Sequence, residues 1–279
     1  MPYALVTDST ADIPHGLARH WNIEVVPAFL IIQGQSFRDR VDITRQAFYQ
    51  RLPQYDPPPT TAAPSSGVFE QVYARLLEVG YEGVVSVHCA VSLSGLYNAA
   101  RLGAEPFGGR VTVVDSGQLS MGLGFQVLAA AEAAAEGASL SEILVRMASV
   151  RQRVYLVAML DTLEYLRRSG RVSWAQAGLG ALLQLKPFVE VREGEVRRLP
   201  PVRTRRKGLA RLRALLEDCG PLERLALLHT GAREDAEALG RDLPQGPGQP
   251  PLVVYVTPII GAHVGARGVG FAVVRGASS

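Results

Sequence analysis

The sequence predicts an α/β fold in two domains: an N-terminal, Rossmann-like parallel-sheet domain over residues 1–154 and a C-terminal α+β domain over residues 155–279. Three observations lead there. In the first half, short apolar runs alternate with amphipathic stretches, as strands joined by right-handed crossover helices do. Three of those runs end in polar turns: Asp8-Ser9-Thr10, Ser92-Leu93-Ser94-Gly95 and Asp115-Ser116-Gly117. After Val150 the pattern shifts to hairpin and mixed signals.

Tyr3 to Thr7 reads as the first strand, and a helix follows from Asp12-Ile13 with Pro14 near its first turn. Ile23 to Ile32 is a second strand run broken by Pro27, and Gln33 to Asp42 is polar and turn-like. Thr44 caps a helix through Leu52. The proline-rich stretch from Pro53 to Pro64 excludes regular helix. Ser65 or Ser66 then caps a helix carrying Phe69, Val72, Tyr73, Leu76 and Leu77.

Val84, Val85 and Val87 form the apolar run of a buried parallel strand, and Leu96, Ala99, Ala100 and Leu102 recur at helical spacing. Val111 to Val114 is the next strand. Gly117 to Gly137 is an Ala-rich helix, and Ser139 caps another to about Val150. In the second half, Val154 to Leu160 is a strand, Leu163 to Arg171 a short helix with a glycine stop, and Trp174 to Leu183 a helix of small residues. Glu193-Gly194 marks a hairpin between Lys186–Arg192 and Glu195–Leu199. An amphipathic helix from Thr204 to Glu217 follows, then strands at Leu225–His229 and Leu252–Thr257 around a helix from Glu234. Gly261 to Gly268 reads as a glycine-rich loop before a last strand, Val269 to Val274.

Ligands in open parallel sheets sit beyond the carboxyl ends of the strands, so the three polar turns should share one rim. The Ser92–Gly95 turn is the most informative. A helix N-terminus there offers free N–H groups and a dipole that favours an anion, and Gly95 carries no Cβ to keep a ligand from the backbone. The plainer alternative is that Ser94 only caps the helix.

Composition bounds the rest. Hydrophobic residues make up 47% of the chain and charged residues 20%, which suits a globular protein with an ample core. No apolar run is long enough to span a bilayer. The opening MPYALVTDST has no charged n-region or cleavage site, so no secretory leader is expected. Cys89 and Cys219 give neither a disulfide framework nor metal-ligand spacing, which fits a reducing, cytoplasmic setting. The five histidines form no pair at metal spacing, so no metal is expected. A net charge of +3 is too mild to argue for nucleic acid, and the basic run from Arg197 to Arg213 has no aromatic residue to stack a base. That run is either a solvated face or a docking surface for an acidic or phosphorylated partner.

Two chemistries remain open on the residues alone. A hydrolase or phosphotransferase would pair Ser94 with His263 and a carboxylate such as Asp8 or Asp115, although no G-x-S-x-G elbow surrounds Ser94. A binding protein would use the same polar groups to hold an anion. No P-loop is present.

Several blocks then coincide in order along nearly the whole chain: Thr7-Asp8-Ser9-Thr10, Pro59-Thr60-Thr61 with Pro64-Ser65, Leu93-Ser94-Gly95-Leu96-Tyr97, Asp115-Ser116, Leu163 to Arg171, Lys186-Pro187, Val202 to Lys207 and Gly261 to Gly265. Together they resemble the signature of the DegV family of fatty-acid-binding proteins. The resemblance implies two α/β domains with a long-chain fatty acid between them, no catalytic residue, no cofactor beyond the bound lipid, and a monomer. It also implies presentation of the carboxylate to a fatty acid kinase. Carried over, the carboxylate-binding residues are Thr61 with Thr60 beside it, Ser94, Gly95 and His263. The partner-docking arginines are Arg203, Arg205 and Arg206. Two departures stand out. The family's Ser-Gln after the threonines is Ala62-Ala63 here, and its Ser-Gly-Thr-Tyr is Ser94-Gly95-Leu96-Tyr97. Both remove hydrogen-bonding groups near the head group. Affinity would come mainly from the tail: burying sixteen carbons is worth at most about 12 kcal/mol before ordering costs.

Overall fold

The computed structural model describes residues 2–175, 185–241 and 250–276. Tyr3–Asp8 (β1) leads through a 3-10 turn at Ser9–Ala11 to His15–His20 (α1) and Ile23–Val26 (β2). Phe29–Ile32 (β3), Gln35–Arg38 (β4), Arg45–Arg51 (α2), Thr60–Ala62 (β5) and Ser66–Glu78 (α3) follow. Then come Gly83–His88 (β6), Leu96–Ala104 (α4), Val111–Asp115 (β7), Ser120–Ala135 (α5) and Leu140–Arg153 (α6). The second half holds Val154–Met159 (β8), Glu164–Ser169 (α7), Lys186–Arg192 (β9), Glu195–Val202 (β10), Arg205–Glu217 (α8), Leu222–His229 (β11), Arg233–Leu239 (α9), Leu252–Tyr255 (β12), Pro258–Val264 (α10) and Val269–Arg275 (β13).

The first sheet is parallel, in the order β2-β1-β6-β7, and its strands all precede residue 116. A mixed sheet in the order β10-β9-β8-β13-β11-β12 is built wholly from residues after Arg153. The α/β class and the parallel N-terminal sheet are therefore as the alternation predicts. β6 is buried along its whole length, as its valine run requires. Ser139 closes a capping box with Glu142, which starts α6 where the serine predicts it. One apolar cluster runs through both halves, joining Leu5, Val85 and Phe125 to Leu156, Val191 and Ala272.

Four readings need correction. The run from Ile23 to Ile32 is not one strand. Pro27 ends β2, and β3 joins a separate antiparallel sheet in the order β4-β3-β5. The segment from Gln33 to Asp42 contains the strand β4, largely exposed and so without an apolar alternation to reveal it. The proline-rich stretch hides β5, three residues long. Gly261 to Val264 belongs to the helix α10 and is not a loop. Gly261 is there for close approach: a Cβ would meet the Tyr49 hydroxyl oxygen at 2.2 Å. The helix expected from Trp174 to Leu183 begins with a 3-10 turn at Ser173–Ala175, and the rest lies outside the described residues.

Candidate functional site

The three polar turns do share a rim, because β1, β6 and β7 are adjacent and parallel. Hydrogen bonds lace them together. The Cys89 N–H donates to Asp8 Oδ2 at 3.2 Å, the Val91 N–H to Asp115 Oδ1 at 3.3 Å and the Gly117 N–H to the same oxygen at 2.9 Å. Above this rim lies a cavity of about 180 Å3. It is larger than the roughly 150 Å3 apolar cavity that admits a benzene-sized guest, so it is room for a ligand and not a packing defect.

The cavity draws its wall from both halves of the chain. Thr61, Ser94 and Gly95 come from the first half and His263 from the second. Around them the lining is apolar, including Leu156, Val189, Val191, Leu228 and Ile259. Thr61 lies on β5 opposite Leu30, and its Oγ1 is 2.9 Å from His263 Nε2 in the last turn of α10. Side chains alternate along a strand, so Thr60 falls on the other face of β5, is exposed, and does not line the cavity. That separates Thr60 from the other four.

Gly95 is the N-cap of α4 at an ordinary helical φ of −75°. Neither conformation nor protein packing demands glycine there: a Cβ would meet nothing nearer than the Ala63 Cβ, an ordinary contact at 3.9 Å. Ser94 accepts the Leu96 N–H at 3.3 Å, so it does satisfy the helix start while lining the cavity. Capping the helix and lining the cavity are thus compatible for that serine.

α10 is held against the first half by a second set of bonds. Tyr49 donates its hydroxyl to the carbonyls of Val256 and Thr257, at 3.1 and 3.2 Å. The Thr257 N–H donates to Asp12 Oδ1 at 2.8 Å, and the Thr257 hydroxyl to Asp39 Oδ2 at 2.6 Å. Ser120 and Arg45 complete the shell of Asp12. Tyr49 also stacks on Tyr255, which stacks on His229. These contacts fix the helix that carries His263.

Burial lowers the pKa of His263 to about 4, with the positive charge of Arg171 acting in the same direction. The ring is thus neutral at pH 7 and has one hydrogen to share. His229 is lowered to about 4 in the same way, first by burial and then by Arg233. Arg171 itself is exposed, lines both the cavity and its polar mouth, and has no carboxylate partner among the described residues. It is the site residue that the spacing did not single out, although it directly follows the glycine that stops α7.

The hydrogen bond of His263 goes to Thr61, and among the described residues none joins it to Ser94. Asp115 is occupied by backbone N–H groups, and Asp8 is sealed in the core with His88. No group of three or more potential metal ligands occurs among the described residues. No helix among them is long and apolar enough to cross a membrane.

The arginines predicted to dock a partner are divided. Arg205 binds Asp235 with Nε at 2.9 Å, lies 3.7 Å from Asp161, and donates to the Arg267 carbonyl. Arg203 and Arg206 are exposed, with no ion-pair partner among the described residues.

Comparison with known proteins follows the same lines. The profile of the family described as "Uncharacterised protein, DegV family" matches residues 2–276. A DegV domain-containing protein of Streptomyces coelicolor is 36% identical over 267 residues, covering 94% of each chain. One from Deinococcus radiodurans is 38% identical over 248 residues, covering 87% of this chain and 88% of the relative. Among solved structures, one described as "Fatty Acid Binding of a DegV family Protein from Thermus thermophilus" superposes with a TM-score of 0.89. It is 34% identical, and the match covers 99% of this chain and 100% of that one. DegV of Bacillus subtilis, described as a fatty acid binding protein, superposes at 0.86 with 28% identity over 98% of this chain and 99% of its own. With a match over nearly its whole length and relatives above a third identical, the chain belongs to the DegV family.

Proposed function

We propose that this protein binds one long-chain fatty acid in the cavity between its sheets and presents the carboxylate to a fatty acid kinase, with no catalysis of its own. One observation carries the reading: an apolar cavity ends in a small polar cluster, Thr61, Ser94, Gly95 and His263, with Arg171, a cation that has no carboxylate partner among the described residues, at its mouth. That is the chemistry of a carboxylate head and a hydrocarbon tail. Hydrogen bonds to an ionised carboxylate orient the lipid, and tail burial supplies most of the affinity. The fatty acid bound by the Thermus thermophilus relative supports the same assignment.

The kinase would meet the exposed Arg203 and Arg206, while Arg205 serves the internal network with Asp235. We place the protein in the cytoplasm as a monomer. The deciding experiment is mass spectrometry of an organic extract of the purified protein, where about one fatty acid per chain is expected. An empty cavity together with His263-dependent turnover of ester substrates would replace this reading with the hydrolase.

A further inference from the structure

The turn between β9 and β10 reaches across to the rim of the other sheet. Glu193 and Gly194 hold φ of 52° and 80°, the left-handed pair of a tight two-residue hairpin. The Gly194 N–H donates to the Gly117 carbonyl at 2.8 Å, and Ser92 Oγ donates to the Gly194 carbonyl. Close by, Gln118 Nε2 donates to the Val191 carbonyl at 3.1 Å. Both backbone groups of one glycine are thus bonded to the N-terminal rim.

Two features make this contact more than a strut. Ser92 stands two residues before Ser94 in the loop that carries Ser94 and Gly95, and it lines the polar mouth beside Arg171. Val189, Val191 and Val196 of the same hairpin line the cavity. Around the buried Gly194, Arg192, Glu193 and Glu195 are all exposed, so the tip is held by hydrogen bonds and not by apolar packing. A segment secured that way opens locally at low cost. At the α10 side, by contrast, the halves are tied by the buried cluster of Asp12, Asp39, Tyr49 and Thr257.

We propose that the Glu193–Gly194 turn is a latch on the Ser92–Gly95 loop: closed, it positions Ser94 and Gly95 at the head-group end, and open, it lets the ligand exchange. Ser92 is then a positioning residue that acts through Ser94 and Gly95. The proposal rests on the fatty-acid reading for what is exchanged and on the geometry alone for the latch.

A reversible covalent lock tests it. A Cβ on Gly194 would lie 3.9 Å from the Ser92 Cβ, inside the roughly 3.5–4.5 Å window of a disulfide. The full-length Ser92→Cys/Gly194→Cys protein is loaded with radiolabelled palmitate in the reduced state, oxidised, and chased with unlabelled palmitate. Exchange should slow about tenfold or more on oxidation and recover on reduction, as a constraint on an opening motion requires. A cross-link confirmed by peptide mapping with exchange unchanged would overturn the latch.

Should the double variant fail to fold or to cross-link, Ser92→Ala decides. It should release palmitate about fivefold faster, the factor expected of one net hydrogen bond, and lose amide hydrogen-exchange protection in the peptide spanning Gly194. Wild-type values for both measurements would overturn the proposal. Failure of the wild type to retain palmitate would instead strike the fatty-acid reading. The latch would then be judged on Gly194 protection in Ser92→Ala against wild type, where lost protection supports it and unchanged protection overturns it.

Discussion

Two histidines of this protein sit in hydroxyl-bearing clusters with opposite fates. His88 is fully buried between Asp8 and Ser86: its Nδ1 is 2.9 Å from Asp8 Oδ2 and its Nε2 is 2.7 Å from Ser86 Oγ, which in turn meets the Tyr73 hydroxyl at 2.8 Å. His263 faces a cavity and, among the described residues, its side-chain hydrogen bond goes to the Thr61 hydroxyl. The sealed cluster has the residue types of a nucleophile triad and no path for a substrate. The accessible one has the path and a bonded hydroxyl, but among the described residues no carboxylate is bonded to its ring. Access is what separates the two histidines. Asp8 also accepts the N–H groups of Thr10 and Cys89, so the sealed cluster pins the rim on which the other depends.

Four measurements would break or sharpen this contrast. The largest effect belongs to the sealed cluster. Asp8→Ala leaves His88 and two backbone donors without their acceptor, and should cost about 3–5 kcal/mol of stability in urea denaturation. A variant of near-native stability would mean that the cluster is not structural. Next, Thr61→Val/Ser94→Ala should lower palmitate affinity about a hundredfold, two charge-assisted hydrogen bonds' worth, while leaving the urea midpoint close to wild type. Comparable losses in folding and binding would erase the distinction between the two clusters.

The third concerns pH. The folded pKa of His263 lies at about 4, below the ordinary imidazole value of 6.5, so the fold favours the neutral ring. Its contribution to stability is complete above 6.5 and is lost as pH falls toward 4. His263→Gln should therefore flatten the decline of ligand-free stability over that window. Asp12, raised to about 6 chiefly by burial, works in the opposite sense in both proteins and cancels in the difference. Parallel pH profiles for the two proteins would show that the ring is not held neutral. Smallest of all, Thr60→Ala should keep palmitate affinity within about twofold, as befits an exposed side chain on the outer face of β5. A large loss would place that face in the site.

The parallel rim is legible because each of its strands is short, largely apolar and ends in a polar turn. β4 and β5 are not, since one is mostly exposed and the other is three residues long beyond a row of prolines. Thr61, Ser94, Gly95 and His263 could be named from local motifs, but their convergence depends on pairings distant in sequence, such as Tyr49 with Val256. The glycines at 261 and 265 argue for a loop where α10 forms, because glycine lowers helix propensity. The compensation, a tyrosine packed where a Cβ would be, is visible only in three dimensions. A motif does not distinguish Thr60 from Thr61, because it has no faces, whereas a strand has two. Nothing in the residues around Arg171 signals that it lines the cavity.

The apolar cluster that crosses from Leu5 and Val85 to Leu156 and Ala272 has a consequence for how this chain can be divided. Cutting near residue 154 would separate the strands of the two principal sheets cleanly, yet each fragment would present half of a hydrophobic interior to water. The pieces would aggregate or reassociate instead of standing alone, and the intact chain should melt in a single cooperative step. Sheet topology draws a boundary at that point; the free energy of folding does not recognise it.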